Sequence, residues 1–355
     1  MNRSLPYNTL PMLPPGSKLW EDIDIYKALA DAKASLGELK GRASIIPEQR
    51  MLINTLVLQE AKESSSIENI FTTNDKLYKA FASPNSTIDP NTKEVLRYKD
   101  ALWKAWKRVS RSGISIPVIE EIFQTVKHTT EGVRGVEVYI GNSSVRLYTP
   151  PKGYFLIRNK LTNLIEYLNK ADKTDPLIKM SIAHYQFEAI HPFIDGNGRT
   201  GRIINVLYLS KAGILELPIL YLSQYINENK NDYYRLLQDV TENQNWKGWI
   251  LYMLSAVKET SDRTLFKINS IYSLFEETIK VVRKKLPKIY KYEIVELLFS
   301  QVYCKVSFLT KMGISRNTAG KYLNALVKIG VLEKIESGKE NIYQNVKLFK
   351  LLSSK

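Results

Sequence analysis

Between His191 and Arg202 the chain reads HPFIDGNGRTGR, which sets an imidazole, a carboxylate, a glycine-rich turn and two guanidinium groups close together. Each residue type suits one task in phosphate chemistry. Gly196, Asn197 and Gly198 precede a helical stretch, so backbone N–H groups can face an anion seated at the positive end of that helix. Arg199 and Arg202 are three apart and project from roughly one helix face, where both planar forks can reach a polyphosphate. Asp195 offers a hard oxygen, and one carboxylate with phosphate oxygens and water is a common way to hold magnesium. His191 titrates near neutrality and can take a proton from an attacking hydroxyl, typically worth about 10² to 10⁴ in rate. The same residues also admit a plainer reading, in which the Asp-Gly turn only connects helices and the arginines form a surface ion-pair face.

The flanking elements must position this stretch. Apolar spacing predicts helices from Asp22 to about Lys40 and from Pro47 to about Phe71, with Pro47 suited to a first helical position. A surface loop is expected over SPNSTIDPNT at 83–92, then a helix in EVLRYKDALWKAWKRVS and another from Ile116 to about Lys127. VEVYI and VRLYT, joined by GNSS, read as a β-hairpin over 137–149. Two more helices lead to His191, and the next runs from near Arg199 to Gly213, so the motif joins two helices. A helix in NDYYRLLQDVT and a long one from Trp246 to about Lys285 follow, the latter with Trp246, Trp249, Met253 and Leu254 at core-like spacing. From Leu286 the order is a helix in KYEIVELLFS, a short helix ending at Thr310, GISRNTAGKYLNALVKIGVLEKI and a strand-like NIYQNVKLF, a winged helix-turn-helix pattern. There is no internal repeat, so a solenoid is not expected.

At 355 residues the chain can hold a large core and two or three domains. No apolar run approaches the roughly 18 residues of a membrane span, and MNRSLPYNTLPMLPPGS lacks the apolar centre of a signal peptide, so a cytoplasmic protein is expected. Cys304 is the only cysteine and sits in an apolar run, which suits a buried thiol. The net charge of +15 is uneven: residues 281–355 hold 15 Lys/Arg against 5 Asp/Glu. That bias fits either an anionic partner, nucleic acid first, or a solvated lysine-rich surface. His184, Glu188 and His191 share a helical face, yet the HExxH arrangement is absent. We therefore read His184 as a packed or hydrogen-bonded histidine, and His128 as a residue at a helix end favoured by the dipole.

The stretch 191–202 resembles the signature of the Fic family, HPFx(D/E)GNGRxxR, at every defined position, and the resemblance extends over about residues 5–260. It implies a mainly α fold, a Fic-type helical core with a β-hairpin flap, followed by a small C-terminal winged helix-turn-helix domain. By that resemblance the protein transfers AMP from ATP to a Ser, Thr or Tyr hydroxyl of a target protein that docks on the 137–149 flap, with itself as another acceptor. His191 is then the general base, Phe193 a buried anchor and Asp195 the magnesium ligand. Gly196, Asn197, Gly198, Arg199, Thr200, Gly201 and Arg202 bind ATP, the first three as the anion hole and the two arginines on the outer phosphates. Gln186, Tyr234 and Trp246 fall where relatives build the adenosine pocket, and each also suits a core position.

Ser64-Ser-Ser-Ile-Glu68-Asn69 resembles the family's inhibitory (S/T)xxxE(G/N) motif. Ser64 and Glu68 share a helical face, so the carboxylate is expected to pair bidentately with Arg202 and occupy the donor that a γ-phosphate needs. The expected organisation is an N-terminal helical region at 1–95 carrying this motif, a catalytic core at 96–262, a linker helix at 263–285 and the winged helix at 286–355. Three alternatives stay open: removal of AMP as well as its transfer, transfer of another nucleotidyl group, and a DNA-binding regulator using Arg316, Asn317, Thr318 and Lys321 on a recognition helix. A DNA or protein partner at the winged helix and a homodimer are compatible with the family.

Overall fold

Asp89 and Asp175 each precede a proline, and each carboxylate accepts a backbone N–H in the first helical turn, from Thr92 at 3.1 Å and Leu177 at 2.9 Å. Such caps with proline at the first position start a helix at a defined residue. In this computed structural model they open α4 (Pro90–Ser112) and α7 (Pro176–Ile190). The structure describes residues 2–16, 18, 20–45, 49–83, 87–141, 145–337 and 340–354, with backbone alone at 45, 49–54, 336, 337 and 340. Pro47, expected to begin a helix, lies outside the described residues.

In chain order the elements before the motif are α1 (Ile23–Ile45), α2 (Gln49–Ile67), α3 (Asn74–Ala82), α4, α5 (Ile116–Lys127), β1 (Ile140–Gly141), β2 (Arg146–Tyr148), α6 (Tyr154–Asn169) and α7. After it come α8 (Asn197–Lys211), α9 (Leu222–Glu228), α10 (Lys230–Asn243) and α11 (Trp246–Lys285). The C-terminal region holds α12 (Tyr292–Ser300), β3 (Tyr303–Cys304), α13 (Val306–Thr310), α14 (Arg316–Lys328), β4 (Glu333–Ser337), β5 (Glu340–Gln344) and α15 (Val346–Ser353). The fold is mainly helical, as its apolar periodicity implies. No helix among the described residues is long and apolar enough to cross a membrane.

Every residue of α7 except Pro176 and Glu188 is buried, so this helix is the centre around which the others pack. It touches α6, α8 and α11, and Trp249 of α11, fully buried, donates its indole N–H to the Ser181 carbonyl at 2.7 Å. Helix α1 lies along α11, and α2 meets α4, α8, α9, α12 and α15. The C-terminal elements join the same core: the ring of Phe349 meets Tyr78 and Tyr303 edge-on, and the Tyr303 hydroxyl donates to Asp75 at 2.5 Å.

Two local expectations change. Among the described residues the hairpin pairs over Ile140–Gly141 and Arg146–Tyr148, less than 137–149, with a register shift between Ile140 and Gly141 that breaks the ladder, while the preceding Val136 carbonyl accepts from the Arg134 guanidinium at 2.7 Å. In the C-terminal segment β5 ends at Gln344, and the VKLF that reads as strand is helical. Asn345 caps α15 by accepting from Leu348 N–H at 3.2 Å, which turns the chain out of the three-stranded β3-β5-β4 sheet.

Candidate active site

The turn between α7 and α8 is built from its own side chains. Asn197 accepts from Phe193 N–H at 2.9 Å and returns its amide to the Phe193 carbonyl at 2.8 Å, closing a ring across the turn. The Thr200 hydroxyl donates to the Gly196 carbonyl at 2.9 Å, and Gly196 takes φ +75°, the left-handed region where glycine has no side-chain penalty. Phe193 is fully buried and stacks on Phe123 at 4.1 Å between centroids. The first N–H groups of α8, free of intrahelical acceptors, thereby stand on a fixed platform.

His191 caps α7 at φ 49°, an uncommon conformation for a residue with a Cβ, costing about 1–2 kcal/mol. Its Nδ1 lies 3.3 Å from the Glu188 carbonyl. A carbonyl only accepts, so Nδ1 carries the proton and Nε2 keeps its lone pair. Burial first, and the Arg134 charge second, lower the imidazole to about 4, so it is neutral at physiological pH. Arg134 is buried and donates to the carbonyls of His191 at 2.8 Å, Val136, Pro151 at 2.8 Å and Ile190, tying the loop before the hairpin to the motif. The Tyr148 hydroxyl donates to the Ala189 carbonyl at 2.7 Å and holds the hairpin on the same helix end.

Arg202 is 1% exposed and turned toward α2: its Nε donates to the Ser64 hydroxyl at 2.8 Å, and Nη2 donates to the Ser64 carbonyl at 2.8 Å and to Glu68 Oε1 at 3.0 Å. The bidentate pairing expected for Glu68 is thus a single carboxylate contact, because Ser64 takes Nε and the second N–H of Nη2. Glu68 sits one residue past α2, in a turn where its N–H donates to the Ser65 carbonyl at 3.0 Å. Lys230 Nζ donates to the Ile67 carbonyl at 2.6 Å and fixes that turn to α10. Burial alone would lower Arg202, but Glu68, Tyr233, Tyr98 and Glu188 outweigh it and raise the pKa, so the guanidinium is firmly charged. A Cβ at position 198 would run into the Glu68 carboxylate and come within 2.9 Å of Arg202 Nη1, so glycine is needed there for this pair to form.

Glu68, Glu188, His191, Gly198, Arg202 and Tyr234 line one cavity of about 420 Å³. The other residues singled out from the sequence stand outside its wall. Arg199, as buried as Arg202, pairs with Glu94 of α4 at 2.5 Å. Thr200 is fully buried in the turn, and Gly201 lies against Glu188. Gln186 is buried and donates to the Pro11 carbonyl at 2.8 Å, while Trp246 packs edge-on against Tyr185. His184 Nε2 is hydrogen-bonded to Tyr233 at 2.9 Å. In the C-terminal region Arg316, Asn317 and Lys321 are exposed on α14, and Thr318 is partly covered beside the capping Ser315.

Asp195 is ionised: burial would raise its carboxyl, but Lys127 at 2.5 Å and the Gly196 N–H lower it. The ammonium of Lys127 occupies one oxygen of this largely exposed carboxylate, the place a cation would take. A single ionised carboxylate suits magnesium that brings phosphate and water ligands with it. Arg134, Lys127 and Glu94 were not singled out from the sequence. Their partners lie far away along the chain, and no local pattern marks them.

Three family models match in chain order: Fic/DOC family N-terminal over 26–107, Fic/DOC family over 116–209, and the C-terminal domain of SoFic-like protein adenylyltransferases over 274–348. Among curated proteins, the probable protein adenylyltransferase aq_aa38 of Aquifex aeolicus is 26% identical over 179 residues, 49% of this chain and 54% of that protein. The protein adenylyltransferase fic-1 of Caenorhabditis elegans is 31% identical over 97 residues, 26% of this chain and 18% of that protein. The chain spans about half the length of the Aquifex relative and less of the worm one. Among solved structures, a Fic family protein from Desulfovibrio desulfuricans G20 aligns with a TM-score of 0.56 at 21% identity, over 90% of this chain and 95% of that one. Fic-1 from C. elegans aligns with a TM-score of 0.53 at 19% identity, over 68% and 71% of the two chains. With the signature at 191–202 set between two buried helices, and the N-terminal, central and C-terminal models matched in order, the chain belongs to the Fic family.

Proposed function

We propose that this protein is a protein adenylyltransferase, moving AMP from ATP to a side-chain hydroxyl of a target protein, and that Glu68 restrains it. The observation that carries this reading is the meeting of His191, Gly198 and Arg202 on one cavity, with Glu68 seated on the arginine. The names of the curated relatives support it.

In the proposed reaction His191 Nε2 accepts the hydroxyl proton as that oxygen attacks the α-phosphorus, and the bond to the departing pyrophosphate breaks. The N–H groups opening α8 meet the phosphates, and Arg202 holds the terminal one. Arg202 can do so only when Glu68 gives up its contact, since guanidinium donors committed to a carboxylate do not also orient a phosphate. Asp195 would hold magnesium, which when bound neutralises phosphate charge. For that, Lys127 must yield its oxygen. The exposed edge of the hairpin, with Tyr139, Val145 and Leu147, suits an extended target segment added as a strand. Incubation with α-labelled and γ-labelled ATP tests the reaction class: label is expected on protein from the α position alone, and transfer of the γ-label would overturn the reading.

A further inference from the structure

Glu188 is an anomaly in the wall of the cavity. It is one of only two α7 residues that are not fully buried, and its side chain opens on the same space as His191 and Arg202. Its Oε1 is cut off from solvent and has no hydrogen-bond partner among the described residues. Position 201 makes room for it, since a Cβ there would lie 2.5 Å from this oxygen and 3.0 Å from the Phe187 ring. A carboxyl lodged in a notch without a partner, beside the arginine proposed to receive a phosphate, is either repulsive to the ligand or a donor to it. An isolated buried charge is costly, whereas a neutral acid carries one O–H that needs an acceptor.

We propose that Glu188 contacts the nucleotide as a neutral carboxylic acid, donating a hydrogen bond to the terminal phosphate that replaces Glu68 on Arg202. The inference rests on the nucleotide-transfer reading and adds a specificity-determining residue to it. Burial raises the Glu188 carboxyl to about 8, with Arg202 opposing and Glu68 reinforcing the shift. The groups that face it are few. His184, on its own helix, is lowered to about 3 and His191 to about 4, chiefly by burial. Arg202 of α8 is raised, and the phenols of Tyr233 and Tyr234 on α10 and Tyr148 on β2 are raised by burial, Tyr234 to about 12. Glu60 of α2, behind Arg202, is raised to about 7 by burial. Between pH 7 and 9, with Glu68 removed, Glu188 is therefore the group in the cavity wall that changes charge. Glu68 is one of the charges that raise Glu188, so its removal starts the ionisation below about pH 8; the protonated form donates, the ionised form is an anion facing an anion, and affinity falls by up to about tenfold per pH unit as pH rises through the titration.

The test uses the full chain carrying E68G and H191A, which frees Arg202 and stops turnover, and titrates Mg-ATP and Mg-ADP by calorimetry from pH 7 to 9. ATP affinity is expected to decline as pH rises from 7 to 9, while ADP, lacking the terminal phosphate, shows no such decline. Adding E188Q, whose amide still donates, should keep pH 7 affinity and flatten the profile; whatever Glu60 contributes persists there, so the difference isolates Glu188. Adding E188A should weaken ATP at pH 7 by roughly tenfold, with ADP unchanged. A slope in E188Q as steep as in its parent, or one that ADP shares in full, overturns the assignment of Glu188 while leaving nucleotide binding intact. A protein that binds neither nucleotide at any pH overturns the adenylyltransferase reading itself.

Discussion

Arg199 and Arg202 sit one turn apart on α8, each 1% exposed and each paired with one glutamate, yet they belong to different parts of the molecule. Arg199 meets Glu94 on α4, whose side chain is 18% exposed and is also approached by Lys127. That side of the turn is a closed ion network inside the helical packing. Arg202 meets Glu68 in a turn just past a helix end, with 33% of the carboxylate side chain exposed, on the wall of the cavity. Residue type and burial are the same. What differs is whether the partner can leave, and a charge whose partner can leave is available to a ligand.

Perturbing the movable side should give the largest effect on activity. Glu68→Gly is expected to raise ATP-dependent labelling of protein by more than about tenfold, and His191→Ala in that background should remove about 10² to 10⁴ of the rate. Quantitative autoradiography decides it, and labelling that stays at the wild-type level in Glu68→Gly removes the proposed restraint. Perturbing the closed side should act on stability instead. Glu94→Gln leaves a buried guanidinium without its counter-charge, at a cost of about 3 kcal/mol, whereas Glu68→Gln, with Ser64 still holding Arg202, costs under about 1 kcal/mol. Denaturant melts of the two variants should separate clearly; equal losses would abolish the distinction drawn between the two arginines.

The smallest expected effect is in the pH dependence. The His191 imidazole is lowered to about 4, so its lone pair is present above that pH and lost only as pH falls toward it. The kcat/KM of the Glu68→Gly protein should therefore hold level from about pH 7 to about 5, below the ordinary histidine range. An acid limb centred near 6.5 would mean that the imidazole is more solvated than its place at the mouth of α7 implies.

Much of this arrangement is legible along the chain because it is local. Apolar spacing marks α1, α4 and α11, Asp175 with Pro176 precedes the almost uniformly buried α7, and twelve consecutive residues carry the turn with its histidine and arginines. The hairpin is the instructive exception: VEVYI has strand composition, but the ladder shifts register between Ile140 and Gly141, and the Val136 carbonyl ahead of it is held by Arg134. Likewise Gln186 and Trp246 are apolar-spaced residues of central helices, and packing claims them before a cavity can. Residue types state what a side chain is able to do, and only neighbours decide whether it is free to do it.

By itself, then, the sequence determined the helices, the glycine turn, the family signature and the set of groups capable of phosphate chemistry, since all of these depend on residues a few positions apart. Tertiary structure alone decided that Arg202 opens on the cavity while Arg199 is locked away, that Glu68 contributes one oxygen rather than two, and that Glu188 lacks a partner. Those outcomes turn on contacts between residues more than a hundred positions apart, such as Arg202 with Ser64 and Arg199 with Glu94, and on burial, which raises the Glu188 carboxyl and lowers the His191 imidazole.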